Sequence, residues 1–365
     1  MSVNNLFLTL DFASKNCEYY KGTDYNDIRM FNIVDINEYR KNLHLFLPKE
    51  YSGKALKSLH SFRFINHKGN VQSFYWNTSE MIKSNHILWR YRKSFYGITT
   101  TDRCCCSNTI TPYGFQIKGM DKYVINNGYM SVNNAIAFDS TPFTVIDAMI
   151  NYRPDWYLFP DVLLVYLFQI LSLKYDKSPF KLKLIEYYGR QLDDNLKHSM
   201  EDFFDCRIVY LFGMNYLGVA YENSYGKLKI IDENVFVEDY NNRICVTDLI
   251  NKSCPIIRHD TGYHGYVLDG NIMLNDNEYR CRNSGSIWVG LYIEFLINEI
   301  NRNHFNAIYQ YKSCAENRKL YLQFFIEPEY ENWKEIISQK IYNRINECIK
   351  INDEFDEIIV EVSKL

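Results

Sequence analysis

Two apolar segments with the pattern of β-strands enclose an amphipathic helix near the middle of this chain. Residues 182–188 (LKLIEYY) and 207–212 (RIVYLF) are rich in aliphatic and aromatic residues, and an amphipathic pattern runs from Leu192 to Phe204 between them. Strands that alternate with helices are typical of a parallel or mixed α/β sheet. The alternation therefore predicts a sheet with helices packed against it.

The same alternation extends toward the amino terminus. A strand pattern at 73–76 (SFYW) precedes a helix expected from Thr78 to about Tyr96, with Thr78 as its N-cap. The apolar run 156–173 is interrupted by polar residues and is shorter than the roughly 20 residues that a bilayer requires. We expect a buried helix that begins near Asp161 and no membrane association.

The carboxyl-terminal part has a pattern of its own. Residues 309–314 and 320–326 predict paired strands, and 357–362 predicts a closing strand. Apolar residues recur every three or four positions across 333–348, as in an amphipathic helix. These elements together fit a small α+β domain.

The length and the turn residues suggest how the chain divides. With 365 residues the chain can bury a large core beside a small domain. The polar, turn-rich stretch 269–277 suggests a boundary. We expect an α/β fold with a large N-terminal domain of mixed parallel sheets packed with helices (residues 1–270) and a small C-terminal α+β lid domain (residues 271–365).

Composition and charge exclude several classes of protein. The chain is 47% hydrophobic and 16% aromatic, which excludes a disordered chain. Its net charge is −3 without a basic tract, so no nucleic-acid partner is predicted. The 31 tyrosines have two interpretations: they line clefts or interfaces, or they reflect the codon bias of an AT-rich genome.

The cysteines and the first residues predict a cytoplasmic protein. Ten cysteines occur without an extracellular spacing pattern, and the first residues lack the charged region of a signal peptide. The adjacent Cys104, Cys105 and Cys106 cannot easily converge on one tetrahedral ion, so they are interpreted as structural. No metal site is predicted.

One segment carries a resemblance to a known family. Residues 247–263 (TDLINKSCPIIRHDTGY) resemble the pattern T-x-L-x-N-x-x-x-P-x-I-R-Y-x-x-G-D of adenylate-forming enzymes of the phenylacetate–CoA ligase and CapK-like subgroup. The resemblance implies an AMP-dependent ligase fold, with ATP and Mg²⁺ as cofactors if the activity is retained. It places Arg258 at a position that reaches a phosphate or a carboxylate. It also places Tyr263 where the family has an aspartate that binds the ribose.

A second match concerns the loop that binds phosphates in this family, S-S-G-T-T-G-x-P. The corresponding residues 64–71 (FINHKGNV) keep only Gly69. Lys68 is a candidate phosphate ligand by charge, and Gly69 is a candidate for the close backbone approach that a phosphate requires. A tight glycine hairpin without a ligand is the alternative interpretation.

Two further glycines match family motifs that surround the nucleotide. Residues 188–192 (YGRQL) resemble S-G-E-x-L, where the backbone near Gly189 would approach adenine; an ordinary turn between strand and helix is the alternative. Residues 212–216 (FGMNY) resemble Y-G-x-x-E, with Gly213 retained. Tyr216 takes the place of the glutamate that binds Mg²⁺, and a phenol cannot replace that carboxylate at neutral pH.

The substitutions at the phosphate loop, the metal ligand and the ribose aspartate all remove groups that the family uses for catalysis. The loss of one positioned electrostatic group commonly costs about 100- to 1,000-fold in rate. We therefore expect a degenerate member of the family, which binds a small carboxylate-bearing ligand or a protein partner such as a catalytic paralogue. The alternatives are an active AMP-forming carboxylate ligase, in which Lys68 and Arg258 hold the phosphates, and a purely structural subunit.

Overall fold

The computed structural model of the chain describes residues 2–51, 58–65, 71–107, 115–116, 124–127, 132–138, 153–214, 217–275, 297, 300–301, 307–352 and 356–364. The chain forms two compact units, Met1–Phe62 with Phe74–Asn283 and Arg63–Ser73 with Ser284–Leu365. The first contains a large mixed sheet with helices, and the second contains a three-stranded sheet. The expected α/β class, with a large and a small domain, is confirmed.

Thirteen strands of the described residues form the large sheet. Before them in the chain, β1 (His60–Ile65) and β2 (Val71–Trp76) form a separate two-stranded sheet. The strands of the large sheet are β3 (Cys104–Ser107), β4 (Phe115–Gln116), β5 (Val124–Asn127), β6 (Val132–Phe138), β7 (Trp156–Pro160), β8 (Leu184–Tyr188), β9 (Arg207–Met214), β10 (Leu217–Glu222), β11 (Leu228–Ile230), β12 (Val235–Tyr240), β13 (Arg243–Asp248), β14 (His259–Leu268) and β15 (Asn271–Leu274). Their order is β12-β13-β14-β15-β11-β10-β9-β8-β7-β3-β6-β5-β4.

The middle of the large sheet is parallel. Strands β6, β3, β7, β8 and β9 are parallel neighbours in that order. All five residues of β7 and the first four of β8 are buried. Strands that are buried on both faces are continuous apolar runs in sequence, which explains the pattern at 182–188. In the register of the sheet, Tyr187 of β8 lies beside Tyr210 of β9.

Antiparallel strands flank this parallel centre on both sides. On one side β5 pairs with β6 and β4. On the other side the sheet continues through β10, β11 and β15 to β14, β13 and β12. The first part of β14 pairs with β13 and the second part with β15, so β14 joins these two regions of the sheet.

The expected domain boundary at 270/271 lies inside a hairpin of the large sheet. Asp269 and Gly270 have φ angles of 50° and 71°, and they connect β14 to β15. Leu268 pairs with Asn271 across this turn. The same residue types make a hairpin turn and a domain linker, so the polar stretch in the sequence marked a turn within the large unit.

Several α-helices in the described residues pack against strands of the large sheet. The helices are α1 (Ser2–Asn16), α2 (Ile36–Lys41), α3 (Leu43–Phe46), α4 (Thr78–Tyr96), α5 (Asp161–Ser172), α6 (Asp194–Phe204) and α7 (Lys334–Asn352). Short 3-10 turns lie at Glu18–Tyr20, Ile28–Met30, Lys49–Tyr51 and Pro328–Trp333. Contacts join α2 to β14, α4 to β10, α5 to β7 and β8, and α6 to β9. Within the described ranges, no helix combines the length and apolar character that crossing a membrane demands.

Helix α4 has the expected span but a different N-cap. The side-chain oxygen of Asn77 accepts the backbone N–H of Glu80 at 2.9 Å, and Thr78 is the first helical residue. Asn77 also donates from Nδ2 to Ser253 Oγ at 2.9 Å, so its amide caps the helix and binds residue 253 at the same time. At the other end Gly97 adopts a left-handed conformation, with φ of 67°.

The amino-terminal segment packs through aromatic side chains. Tyr20, Phe31 and Phe46 are buried, and the Tyr20 ring contacts both of the others. Tyr39 stacks on Phe74 of β2 with 5.3 Å between ring centroids. Much of the unusual aromatic content therefore serves as core packing in this region.

The second unit has a three-stranded sheet with α7. Its strands are β16 (Ile308–Glu316), β17 (Lys319–Ile326) and β18 (Glu357–Lys364). β16 and β17 are antiparallel, whereas β18 is parallel to β17 and follows α7. The α7 side chains Ile337 and Ile341 and the β17 side chain Phe324 are fully buried. The predicted strand–strand–helix–strand order is confirmed.

Candidate functional site

The carboxyl ends of β7, β8 and β9 bring polar side chains together at one edge of the sheet. In open α/β sheets, ligands bind outside the carboxyl ends of parallel strands. β7 ends at Pro160 and is followed by Asp161, while β8 ends at Tyr188 and is followed by Gly189 and Arg190. This edge contains Gly189, one of the residues predicted from sequence, and it defines the candidate site.

Gly189 is the backbone centre of the site. Its φ angle of +107° is rarely adopted by residues with a side chain. A Cβ atom at this position would lie 2.3 Å from Asp161 Oδ1, so no larger residue fits the present geometry. The Gly189 carbonyl accepts the Tyr210 hydroxyl at 2.8 Å and the Tyr263 hydroxyl at 3.4 Å.

Asp161 and Arg190 form an ion pair beside this glycine. Arg190 Nε donates to Asp161 Oδ2 at 3.0 Å. The Asp161 side chain is 7% exposed and that of Arg190 is 40% exposed, so the carboxylate is sequestered while the guanidinium reaches the surface. Asp161 is also the first residue of α5, where the helix dipole favours a negative charge. The pair fixes the turn after β8 against the start of α5.

Aromatic rings form the wall behind Gly189. Tyr187 and Tyr210 stack with their centroids 5.0 Å apart, and the Leu192 N–H donates to the Tyr187 hydroxyl at 3.2 Å. Phe212 meets Tyr263 edge to face at 5.1 Å. Burial raises the pKa of Tyr210 well above its usual range, and the nearby Tyr263 and Tyr187 act in the same direction. Tyr210 is therefore a neutral hydrogen-bond donor near neutral pH.

The structure brings two of the predicted residues, Gly189 and Tyr263, into contact. The Tyr263 hydroxyl lies on the Gly189 carbonyl, and a phenol at this place offers no negative charge to a ligand. Gly213 lies on β9, where an added Cβ would be 3.1 Å from the Leu217 carbonyl oxygen. Its role in the structure is the close approach of β9 and β10 near their hairpin.

Arg258 is engaged by the protein itself. Its Nε donates to Glu238 Oε1 at 2.7 Å and its Nη2 to Glu238 Oε2 at 3.2 Å. Its Nη1 donates to the Phe31 carbonyl at 2.9 Å. The residue is 5% exposed and has a φ angle of +52°, a conformation that is uncommon for a residue with a side chain. A phosphate would have to displace Glu238 to reach this guanidinium in the same bidentate manner.

Three predicted residues, Lys68, Gly69 and Tyr216, lie outside the described residues. Asp260, which precedes the ribose position by three residues, accepts from Arg243 Nη1 at 2.5 Å and from the Gly262 N–H at 2.8 Å. It is thus held within β13 and β14. Within the described ranges, no three His, Cys, Asp or Glu side chains are grouped so that they could hold a metal ion.

Sequence reasoning missed the Asp161–Arg190 pair and a buried pair below it. Arg92 of α4 donates two bonds to Glu186 of β8, at 2.8 and 2.6 Å, and Tyr221 donates to the same carboxylate at 2.8 Å. A signal for Asp161 and Arg190 was present, since both follow a buried strand, and the carboxyl ends of adjacent parallel strands meet at one edge. The Arg92–Glu186 pair has no sequence signal, because 94 positions separate its members.

Comparison with solved structures identifies the fold. The whole chain aligns with 2-hydroxyisobutyryl-CoA ligase in its postadenylation state with R3-HIB-AMP, covering 85% of that chain at 11% identity with a TM-score of 0.59. In the thioesterification state, with 2-HIB-AMP and CoA, the same ligase aligns over 85% of its length at 11% identity with a TM-score of 0.61. No protein-family model matches the chain, and no curated protein matches it. The protein therefore has the fold of 2-hydroxyisobutyryl-CoA ligase.

Proposed function

We propose that this protein uses the adenylate-forming fold to bind a ligand or a partner, and that it does not activate a carboxylate with ATP. The observation that carries the proposal is that polar groups of the candidate site are hydrogen-bonded to other groups of the protein itself. The Tyr210 and Tyr263 hydroxyls both donate to the Gly189 carbonyl. The Arg258 guanidinium is occupied by Glu238 and Phe31. Groups that would have to face a nucleotide are thus paired within the fold.

The energetic cost of reopening these contacts supports the same conclusion. Removal of one partner from a buried ion pair typically costs about 3–5 kcal/mol, because the other charge is left uncompensated. The Glu238 side chain is 19% exposed, so the lower part of that range applies to its separation from Arg258. A phosphate would have to offset this cost before it contributed any net affinity.

Tyr187, Tyr210 and Phe212 are buried and Tyr263 is half-buried, so a ligand with an apolar body would contact the aromatic wall through Tyr263. Tyr187, Tyr210, Phe212 and Tyr263 contact one another beside Gly189. Ligand sites are mostly lined by apolar and aromatic side chains, with few polar groups that orient the ligand. The proposed ligand is a small carboxylate-bearing compound, and the proposed macromolecular partner is a protein such as a catalytic paralogue.

Acid-dependent exchange of pyrophosphate into ATP tests the enzymatic part of this proposal. We expect no exchange above background with a panel of aliphatic and aromatic carboxylic acids in the presence of Mg²⁺. Exchange that depends on one acid, and that is lost in Arg258→Lys while the variant stays folded, would instead support an active ligase in which Lys68 and Arg258 hold the phosphates.

A thermal-shift screen with the same acids tests the binding part. An acid bound in the site should raise the midpoint of thermal unfolding, and Tyr216→Ala and Tyr263→Ala should reduce that rise. Asp239→Asn provides a control variant with a changed carboxylate elsewhere in the sheet. Equal shifts in all variants would contradict binding at this site.

A further inference from the structure

The amino-terminal segment is attached to one loop of the large unit. We call residues 17–39 the strap and residues 248–260 the latch loop. Val34 N–H donates to the Arg258 carbonyl at 3.0 Å, and the Asp260 N–H donates to the Val34 carbonyl at 2.9 Å. These two bonds form the parallel bridge between the strap and the beginning of β14.

Side chains strengthen the same attachment. The Ile257 N–H donates to the Tyr20 hydroxyl at 3.1 Å, and Tyr39 Oη and Cys254 Sγ are 3.1 Å apart in a hydrogen bond. Arg258 Nη1 donates to the Phe31 carbonyl at 2.9 Å. The strap therefore contacts the latch loop repeatedly, from Cys254 to Asp260.

The latch loop is itself folded around buried polar groups. Asp248 Oδ1 accepts the N–H groups of Ile250 and Asn251 at 2.7 and 3.0 Å. Asn251 accepts from Cys254 N–H at 3.0 Å and donates to the Tyr75 carbonyl at 2.8 Å. These bonds make the conformation of the loop depend on the Asp248 carboxyl at its beginning.

His259 occupies the opposite end of the latch loop. It is 3% exposed and lies edge to face against Phe74, with 6.3 Å between ring centroids. Its Nδ1 atom is buried and has no hydrogen-bond partner. The strap residue Val34 is its backbone partner, so detachment of the strap would bring water to this ring.

We propose that the strap and the latch loop open as one unit, and that this opening exposes the buried side chains of Asp248 and His259 to water. Opening also removes the Phe31 carbonyl from Arg258 Nη1. The strap thus determines whether Arg258 Nη1 is hydrogen-bonded within the protein.

Burial keeps both groups neutral in the closed state between about pH 4 and pH 7. It raises the pKa of Asp248 to about 7, where the two N–H donors lower it and nearby Glu80 of α4 raises it. It lowers the pKa of His259 to about 4, against the opposing influence of Asp260 and of the strap residue Asp35. The other facing titratable groups are the thiols of Cys17 and Cys254, with pKa values raised to about 12, and the phenols of Tyr20 and Tyr39, with pKa values raised well above their usual range.

The two groups have opposite effects on opening. An exposed aspartate has a pKa of about 3.9, so Asp248 favours the closed state at low pH and loses this effect as pH rises to about 7. An exposed histidine has a pKa of about 6.5, so His259 favours the closed state at high pH and loses this effect as pH falls to about 4. Between roughly pH 4.5 and 6.5, Asp248 loses a proton on opening and His259 gains one. The number of bound protons does not change, so the two effects on the opening constant cancel.

Hydrogen exchange with mass spectrometry tests the proposal on the full chain. The opening constant of peptides from the strap and the latch loop is measured between pH 5 and 6.5, after correction for the intrinsic exchange rate. We expect it to be nearly constant in the wild type. In Asp248→Asn it should fall about tenfold per pH unit, and in His259→Phe it should rise about tenfold per pH unit.

The measurement is interpreted from slopes, so a lower stability of either variant does not obscure it. Asp239→Asn is the matched control, since the Asp239 carboxylate also accepts a backbone N–H, from Val267 at 2.9 Å, and its profile should follow the wild type. A steep wild-type profile overturns the proposal without any variant. Flat profiles in both single variants, or equal loss of protection in β8 and β9, also overturn it.

Discussion

Gly189 shows how a single residue fixes the candidate site. Its positive φ directs the chain from β8 toward Arg190, and the absence of a Cβ leaves room for the Asp161 carboxylate. Its carbonyl accepts hydrogen bonds from the hydroxyls of Tyr210 and Tyr263, which lie on two other strands. The chemistry of the site therefore depends on one backbone conformation and on the neutral phenols that stabilise it.

Replacement of Gly189 by alanine tests this dependence. A residue held at an unfavourable φ costs about 1–3 kcal/mol, and overpacking adds about 1–3 kcal/mol. We expect Gly189→Ala to lower the free energy of unfolding by about 2–6 kcal/mol in urea titrations.

A second glycine separates the cost of the unfavourable φ from the cost of overpacking. Gly226 has a φ angle of +75°, and an added Cβ would meet only Glu222 Oε1, at 3.9 Å. Gly226→Ala should therefore cost only about 1–2 kcal/mol, from conformation alone. Equal costs for the two variants would contradict the close approach of Asp161 to Gly189.

The role of Arg258 as a structural cation leads to a second prediction. Arg258→Met should lower the free energy of unfolding by about 3–4 kcal/mol, because Glu238 is left with an uncompensated charge. Adding Glu238→Gln should recover part of the loss in a double-mutant cycle of urea titrations.

Arg90→Met is the control for Arg258→Met. The Arg90 side chain is 60% exposed and that of its ion-pair partner Glu233 is 36% exposed, so its loss should cost less than about 1 kcal/mol. A similar small cost for Arg258→Met would mean that its guanidinium is available to a ligand.

For individual residues, the sequence predicted some members of the candidate site and missed the residues that they contact. Gly189 and Tyr263 were identified by motif, and the structure joins them by a hydrogen bond. The Asp161–Arg190 pair was not predicted, because the two residues are 29 positions apart and meet only when β7 and β8 pair. A motif depends on the spacing of residues close together in sequence. An ion pair of this kind depends on how distant strands pair in the sheet.

Among the elements, periodicity predicted helices and strands well. The helix expected from Thr78 to Tyr96 is α4, and the buried helix expected near Asp161 is α5. Both predictions rest on burial, which produces a regular pattern in sequence. The hairpin at Asp269 and Gly270 was interpreted as a domain boundary, because turn residues do not reveal whether the next strand returns to the same sheet.

The N-cap of α4 provides a test at this scale. Asn77 caps the helix and also donates to Ser253 of the latch loop. Asn77→Ala should cost about 1–2 kcal/mol, the sum of a cap and a further hydrogen bond. Thr78→Ala at the first helical position should cost less. The reverse order in thermal or urea unfolding would place the cap at Thr78.

For the whole molecule, the fold is retained while the sequence differs greatly from the ligases it resembles. The chain aligns over its full length with 2-hydroxyisobutyryl-CoA ligase at 11% identity. Buried apolar positions accept many residues of suitable size, so a fold tolerates extensive substitution. Catalysis requires particular groups at particular places, and a fold alone does not establish an activity.

The central claim is that the protein does not bind a nucleotide in the manner of a carboxylate-activating enzyme. Isothermal titration calorimetry of the purified protein with ATP and Mg²⁺ tests this claim most directly. The account predicts no binding heat at millimolar ATP, with or without Mg²⁺. Micromolar binding that requires Mg²⁺ would contradict it and would show that the nucleotide site is functional.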